Sequence, residues 1–188
     1  MPGVPPTSVE SRAATPAQSR AAFLIFSYPQ SVLLPSGVKL KISMALVIRR
    51  SKIHADGVYT TTPIRKRALV AEYTGPRLFY AEADAIYENS PRTYLFGLVN
   101  GEQVVDGDGL AAFINHSCSP NCEADEIKGR VIIRASRNIP AGEELVYDYN
   151  LYDGDPSDPA LCCCGSKKCR GSMYSPKEIK KRAKQQKK

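Results

Sequence analysis

The ten residues from Phe113 to Cys122 (FINHSCSPNC) place two amides, an imidazole, two hydroxyls and two thiols in one stretch. Polar groups at that density among apolar neighbours are costly if buried without partners. Asn115 and His116 must therefore bond within a tight loop or to a ligand. A second stretch, Gly142-Glu143-Glu144-Leu145-Val146-Tyr147-Asp148-Tyr149, carries two tyrosines two residues apart. On a strand such residues face one side, so both rings can line a pocket wall and each hydroxyl can give or accept a hydrogen bond. A third stretch, CCCGSKKCRG, sets Cys162, Cys164 and Cys169 in a C-x-C-x4-C spacing. Three thiolates in one short loop make a metal site one ligand short, because structural zinc takes four ligands in a tetrahedron. The fourth must come from elsewhere: Cys118 is the natural candidate, with Cys122 and Cys163 as rivals. Lys167, Lys168 and Arg170 stand beside these thiolates and would offset their negative charge.

Short strands must position these groups. Strand signals fall at residues 45–49, 57–60, 68–73, 94–99, 103–106, 130–135 and 144–149. Ala55-Asp56-Gly57 reads as a turn, and Asn100-Gly101 is the strongest hairpin signal in the chain. Residues 80–88 are the best helix candidate in the body, with Ala81, Ala83 and Ala85 favouring helix and Pro91 ending it. Residues 109–115 suit a short helical turn. Residues 177–187 suit a basic helix with almost no apolar face to dock. Residues 1–43 are rich in Pro, Ser, Thr and Ala with one acid, Glu10, and are read as a flexible extension, with a short strand near 38–42 as the exception. Met44 opens the organised sequence and is read as a candidate start.

The length of 188 residues suits one domain, and an apolar content of 43% is enough for a packed core. The net charge of +7 is uneven: from Cys162 onward there are ten Lys or Arg and one acid, Glu178, so the body is slightly acidic and the tail strongly basic. Such a tail can hold nucleic acid or an acidic surface by salt-sensitive attraction. Clustered rather than dispersed cysteines suit a metal and a reducing compartment, not a disulfide framework. No apolar run approaches the roughly 20 residues that a membrane span needs. The βαβ rhythm of a doubly wound sheet is absent. Gly107-Asp108-Gly109 lacks the strand–helix context of a dinucleotide fingerprint.

Taken in order, N-H-S-C-x-P-N-C, G-E-E-L-x-Y-D-Y and C-x-C-G-x3-C-R-G resemble the SET domain and its cysteine-rich post-SET extension, the protein lysine methyltransferase family. The resemblance runs over residues 45–174. The segment Ser51-Lys52-Ile53-His54-Ala55-Asp56-Gly57-Val58-Tyr59 resembles the family's glycine-rich opening. Glu72-Tyr73-Thr74-Gly75 resembles its Y-x-G segment, and Val105-Asp106 its V/I-D strand end. Ala55 departs from the family's usual glycine, and no cysteine-rich pre-SET region precedes the domain.

The resemblance implies a mainly β chain, the SET-domain β-clip fold, with several small sheets and a knot-like core in which the N-H-S-C strand passes beneath the segment bearing Tyr149. It implies a SET domain over 44–152, a post-SET zinc-binding segment over 153–174 and a basic tail over 175–188. The implied cofactors are S-adenosylmethionine and Zn2+. Tyr149 matches the catalytic tyrosine, Tyr147 a channel position that affects how many methyls are added, and Tyr73 a further channel tyrosine. Asp56, Gly57, Tyr94, Asn115 and His116 match cofactor-contacting positions. Cys118, Cys162, Cys164 and Cys169 are the implied metal ligands, and His54 is read as a turn or surface residue. The implied partner is a protein substrate, a histone or another basic protein, with weak nucleic-acid contact through the tail, no membrane, and a monomeric state. The implied location is intracellular: nucleus or chromosome in a eukaryote, cytoplasm or nucleoid in a bacterium. Competing readings are a SET-fold binding module without activity and a zinc-stabilised nucleic-acid-binding protein.

Overall fold

The computed structural model describes residues 25–33, 39–88, 90, 93–155 and 157–185, with side chains from residue 45 onward. Four small sheets make up the body. The first runs β1 (Ile25–Leu33), β2 (Lys39–Arg50), β3 (Asp56–Thr60); the second runs β4 (Leu69–Tyr73), β10 (Arg130–Ala135), β9 (Cys122–Ile127). The third has the order β5 (Arg77–Phe79), β7 (Gln103–Asp106), β6 (Leu95–Gly97), and the fourth pairs β8 (Asn115–His116) with β11 (Val146–Tyr147). Two helices, α1 (Tyr80–Tyr87) and α2 (Pro176–Gln185), and a 3-10 turn over Leu110–Phe113 complete it. The chain is therefore mainly β, as expected.

The burial of each strand explains its composition. β10 is the central strand of its sheet, and Val131, Ile132 and Ile133 are buried in succession because both faces are covered. β9 lies at the edge of the same sheet and alternates buried with exposed positions. Its acids Glu123, Asp125 and Glu126 blunt that edge, and they also hid the strand from sequence patterning. The hairpin between them turns on Lys128 and Gly129, both at positive φ (51° and 74°), as a two-residue turn between right-twisted strands requires. One core joins the sheets, with Leu46, Val58, Ile114, Ile133 and Leu145 among its fully buried members.

Several boundaries differ from the sequence reading. Strands β1 and β2 pair over Ile25–Val47 to Leu33–Lys39, and β2 contains most of the short strand read near 38–42. Residues 1–24 and 34–38, part of the stretch read as a flexible extension, lie outside the described residues. The strand expected over 144–149 is reduced to two residues. Leu145 N–H goes to the Val58 carbonyl (2.7 Å), and Tyr149 N–H goes to the His116 ring (3.1 Å), so both ends leave the ladder. The basic helix is present but docked. Ser175 Oγ caps it by accepting the Glu178 N–H (3.2 Å), and Glu178 is buried although the helix has no apolar face.

Candidate active site

β8 and β11 run parallel, with Asn115 opposite Val146 and His116 opposite Tyr147. Asn121 locks them together: its backbone N–H donates to the Val146 carbonyl (3.2 Å), its Oδ1 accepts the Val146 N–H (2.9 Å), and its Nδ2 donates to the Glu144 carbonyl (2.7 Å). A fully buried asparagine is tolerated here because all these groups are satisfied. The two sequence motifs thus lie side by side, the arrangement expected for a knot-like core.

Tyr147 and Tyr149 do share a wall. Their ring centroids lie 4.9 Å apart, Phe96 sits 6.3 Å from Tyr147, and Tyr73 sits 5.4 Å from Phe96. The Tyr149 hydroxyl donates to the Ile114 carbonyl (3.0 Å) and the Tyr73 hydroxyl to the Tyr94 carbonyl (2.7 Å). Among the described residues the Tyr147 hydroxyl has no protein hydrogen-bond partner. Burial pushes all three phenols well above the ordinary tyrosine range, with neighbouring tyrosines adding to the effect. All three are neutral hydroxyls at physiological pH, fit to hydrogen-bond and unfit to act as bases.

Asn115 and His116 are both engaged within the protein. Asn115 Nδ2 donates to the carbonyls of His54 and Asp56 (3.1 Å each) and to Glu144 Oε1 (3.0 Å), which staples the 54–57 loop to β8. Glu144 also accepts from Ser51 Oγ (2.8 Å) and from the Tyr59 hydroxyl (2.9 Å). Gly57 is required at this crowded spot: a Cβ would overlap the Glu144 carboxylate and come within 3.0 Å of Asn115 Nδ2. Ala55, where the family's pattern has glycine, adopts positive φ (41°), which puts left-handed strain on an alanine. His116 Nδ1 accepts the Tyr149 N–H, which puts its proton on Nε2, 3.4 Å from Cys118 Sγ. Burial is the largest influence lowering the His116 pKa, Arg170 adds to it, and Asp148 opposes both.

The sulfurs of Cys118, Cys162, Cys164 and Cys169 lie within 4.8 Å of one another, and those of Cys118 and Cys162 are 3.7 Å apart. Four thiolates around a tetrahedral ion at about 2.3 Å would be roughly 3.8 Å apart, so this set fits a metal such as zinc. Backbone N–H groups of Arg170 and Gly171 point at the sulfurs of Cys118 and Cys169 (3.4 Å each), as thiolates favour. The rivals stand apart: Cys122 is buried in the core, and Cys163 is exposed and outside the group of four sulfurs. Arg170 grips Asp148 with both terminal nitrogens (2.7 and 2.8 Å) and so fastens the cysteine loop to the Tyr147–Tyr149 segment. Burial alone would raise the Asp148 carboxyl, but Arg170 and the Asn150 N–H outweigh it and hold the carboxyl below its usual range.

These elements enclose one cavity of ≈ 980 Å³. Asp56, Tyr73, Tyr94, Asn115, His116, Tyr147 and Tyr149 line it, as does Cys162 of the cysteine cluster. Gly57 stands behind the wall, where it admits Glu144. His54, read as a turn residue, lines the cavity as well. Sequence reasoning assigned no role to Glu144 or Asp148, gave Arg170 only that of offsetting thiolate charge, and passed over the paired hydroxyls of Tyr80 and Tyr152 (2.6 Å apart) on the cavity wall. The acid in G-E-E-L offered the one signal for the first of these, and nothing in the sequence tied it to the 51–59 segment.

A family model for the SET domain matches residues 56–150. Histone-lysine N-methyltransferase 2D of Homo sapiens is 37% identical over 136 residues, 67% of this chain and 2% of its own length. Histone-lysine N-methyltransferase trr of Drosophila melanogaster is 39% identical over 138 residues, 67% of this chain and 6% of its own. The H3 lysine-4 specific histone-lysine N-methyltransferase of Saccharomyces cerevisiae is 34% identical over 157 residues, 77% of this chain and 14% of its own. This chain belongs to the SET domain family. The chain spans only a small part of the length of each of these relatives.

Proposed function

We propose that the chain transfers methyl groups from S-adenosylmethionine to lysine side chains of histones, in the nucleus or on chromatin. The observation that carries this reading is the convergence of Tyr73, Tyr147 and Tyr149 on the same cavity as the Asn115–His116 segment. The histone substrate comes from the names of the relatives, and the nuclear or chromatin setting follows from that substrate. No helix among the described residues is long and apolar enough to cross a membrane.

S-adenosylmethionine, when bound, supplies an electrophilic methyl group on a sulfonium. The 54–56 loop, Tyr94 and the β8 backbone would hold it. Asn115 serves this role by fixing the loop, since its amide protons already go to His54, Asp56 and Glu144. The aromatic walls exclude water and admit a long unbranched side chain. A lysine ammonium, with an ordinary pKa of about 10.4, has no lone pair and must lose its proton first. Desolvation by the rings and a neighbouring positive charge both disfavour the ammonium. No side-chain base is needed if water carries the proton off, which suits walls of neutral phenols. The Tyr147 hydroxyl is placed to hydrogen-bond the amine or that water, and the Tyr149 hydroxyl to orient it. Aligning the two reactants supplies much of the rate.

Zn2+ in the four-cysteine cluster would fix the post-SET loop beside the cavity. Lys177, Lys180 and Lys184 on the exposed side of α2 would add salt-sensitive contact with nucleic acid. The test is transfer of labelled methyl from the cofactor to core histones. The wild-type protein is expected to label them, and Tyr149→Phe to label them about 100-fold more slowly with cofactor affinity little changed. Equal rates for the two proteins would refute the role given to Tyr149.

A further inference from the structure

We propose that Arg182 of α2 is a positioning residue that holds the 151–161 segment against the cavity and thereby sets affinity for S-adenosylmethionine. The proposal rests on the methyltransferase reading of that cavity. The segment forms one side of the cavity through Tyr152, Asp153, Gly154, Asp155, Asp158 and Leu161. Hydrophobic burial does little to hold it, for Leu161 is 69% exposed and Tyr152 50%. Its ends pair with the chain that leads into α2: Leu151 N–H donates to the Met173 carbonyl (3.2 Å), and Met173 N–H to the Ala160 carbonyl (2.8 Å).

Ser172 Oγ donates to the Pro159 carbonyl (2.9 Å) and the Tyr152 hydroxyl pairs with Tyr80 (2.6 Å), and a guanidinium makes the largest set of bonds to the middle of the segment. Arg182 Nη2 donates to the Gly154 carbonyl (3.0 Å), and Nη1 donates to the carbonyls of Asp155 (3.0 Å) and Asp158 (3.3 Å). Nε donates to Glu178 Oε1 (3.1 Å), and the guanidinium carbon lies 3.8 Å from the Tyr174 ring centroid. The Tyr174 hydroxyl reaches the Asp158 carbonyl (3.3 Å) from the other side. A Cβ on Gly154 would come within 2.7 Å of that hydroxyl, so the segment packs tightly at this point. The Arg182 side chain is only 16% exposed, and Glu178, itself nearly buried, neutralises it. A planar fork with several fixed donors can satisfy three carbonyls and a carboxylate together, which an ammonium cannot do. The cysteine cluster begins at Cys162, directly after the segment, so a metal and Arg182 would fasten it independently.

The experiment compares the zinc-loaded full chain with Arg182→Lys, Arg182→Ala and Glu178→Gln. Labelled S-adenosylmethionine is titrated by equilibrium dialysis, and KM for the cofactor, kcat, zinc content and Tm are measured alongside. Arg182→Ala is expected to raise Kd and KM for the cofactor about tenfold, with kcat at saturating cofactor and zinc content little changed. Arg182→Lys should fall between Arg182→Ala and wild type. If Arg182→Ala does not fold, Arg182→Lys and Glu178→Gln carry the same expectation at smaller size. A lower Tm or a smaller active fraction with Kd and KM unchanged would overturn the proposal by making Arg182 merely structural. A wild-type protein that binds no cofactor would instead overturn the methyltransferase reading, and the proposal with it.

Discussion

At the scale of single residues, chemistry follows from hydroxyls that stay protonated. Burial lifts the pKa values of Tyr73, Tyr147 and Tyr149, so none of them ionises near neutral pH and none can take the substrate proton. At subsaturating histone the rate should therefore climb with pH from neutrality toward about 10, as the free lysine amine sheds its proton. Because the phenol values are raised, tyrosine ionisation should impose no falling limb within that range. A plateau reached near pH 6 to 7 would point to a histidine base instead. Tyr147 also faces the cavity with a hydroxyl free of protein partners among the described residues. Tyr147→Phe removes one oxygen from the channel and one hydrogen bond to amine or water. Mass spectrometry of the product should then show a shift from lower to higher methylation states, with total turnover changing by less than about tenfold.

At the scale of elements, the candidate site is an agreement between four segments distant in sequence. β8 and β11 lie parallel, Asn115 staples the 54–57 loop, and Arg170 ties the cysteine loop to Asp148. Removing a metal from Cys118, Cys162, Cys164 and Cys169 should loosen the last of these while the sheets, which owe nothing to the cysteines, persist. Chelation at neutral pH is expected to abolish most activity and leave the far-ultraviolet circular dichroism near its starting value. Unchanged activity in protein shown to be metal-free would contradict this. The elements that could be read from sequence were those whose own residues declare them, such as the Val-Ile-Ile run of β10 and the alanine-rich α1. β9 was missed because acids at a sheet edge do not look like a strand. α2 was foreseen as a helix but not as docked, because it is held by Glu178 and Arg182, and an ionic anchor leaves no apolar stripe to read. The C-x-C-x4-C cysteines, the Tyr147–Tyr149 pair and the Asn115–His116 pair were legible because each depends on spacing within one short motif, whereas the fourth sulfur, Cys118, had to be chosen among rivals from other parts of the chain. The Glu144 and Arg170 contacts were not, because each joins residues from different motifs.

At the scale of the whole molecule, two charge regimes sit side by side. The cavity wall carries Asp56, Asp84, Asp153, Asp155 and Asp158, which suits the approach of a basic protein segment, while the outer side of α2 presents lysines. Reversing Lys177, Lys180 and Lys184 to glutamate leaves the Arg182 contacts in place. It should weaken binding to duplex DNA and lower the slope of log affinity against log salt by about 2 to 3 units. Methylation of free histones should be little altered, because the cavity is untouched. The most direct test of the whole scheme is site-resolved mass spectrometry of histones incubated with the zinc-loaded protein and S-adenosylmethionine. Increments of one methylene mass are expected on lysine side chains alone, accumulating about 100-fold more slowly when Tyr149 becomes phenylalanine. Histones that gain no such mass while the protein is folded, metal-loaded and saturated with cofactor would contradict it, as would increments on arginine.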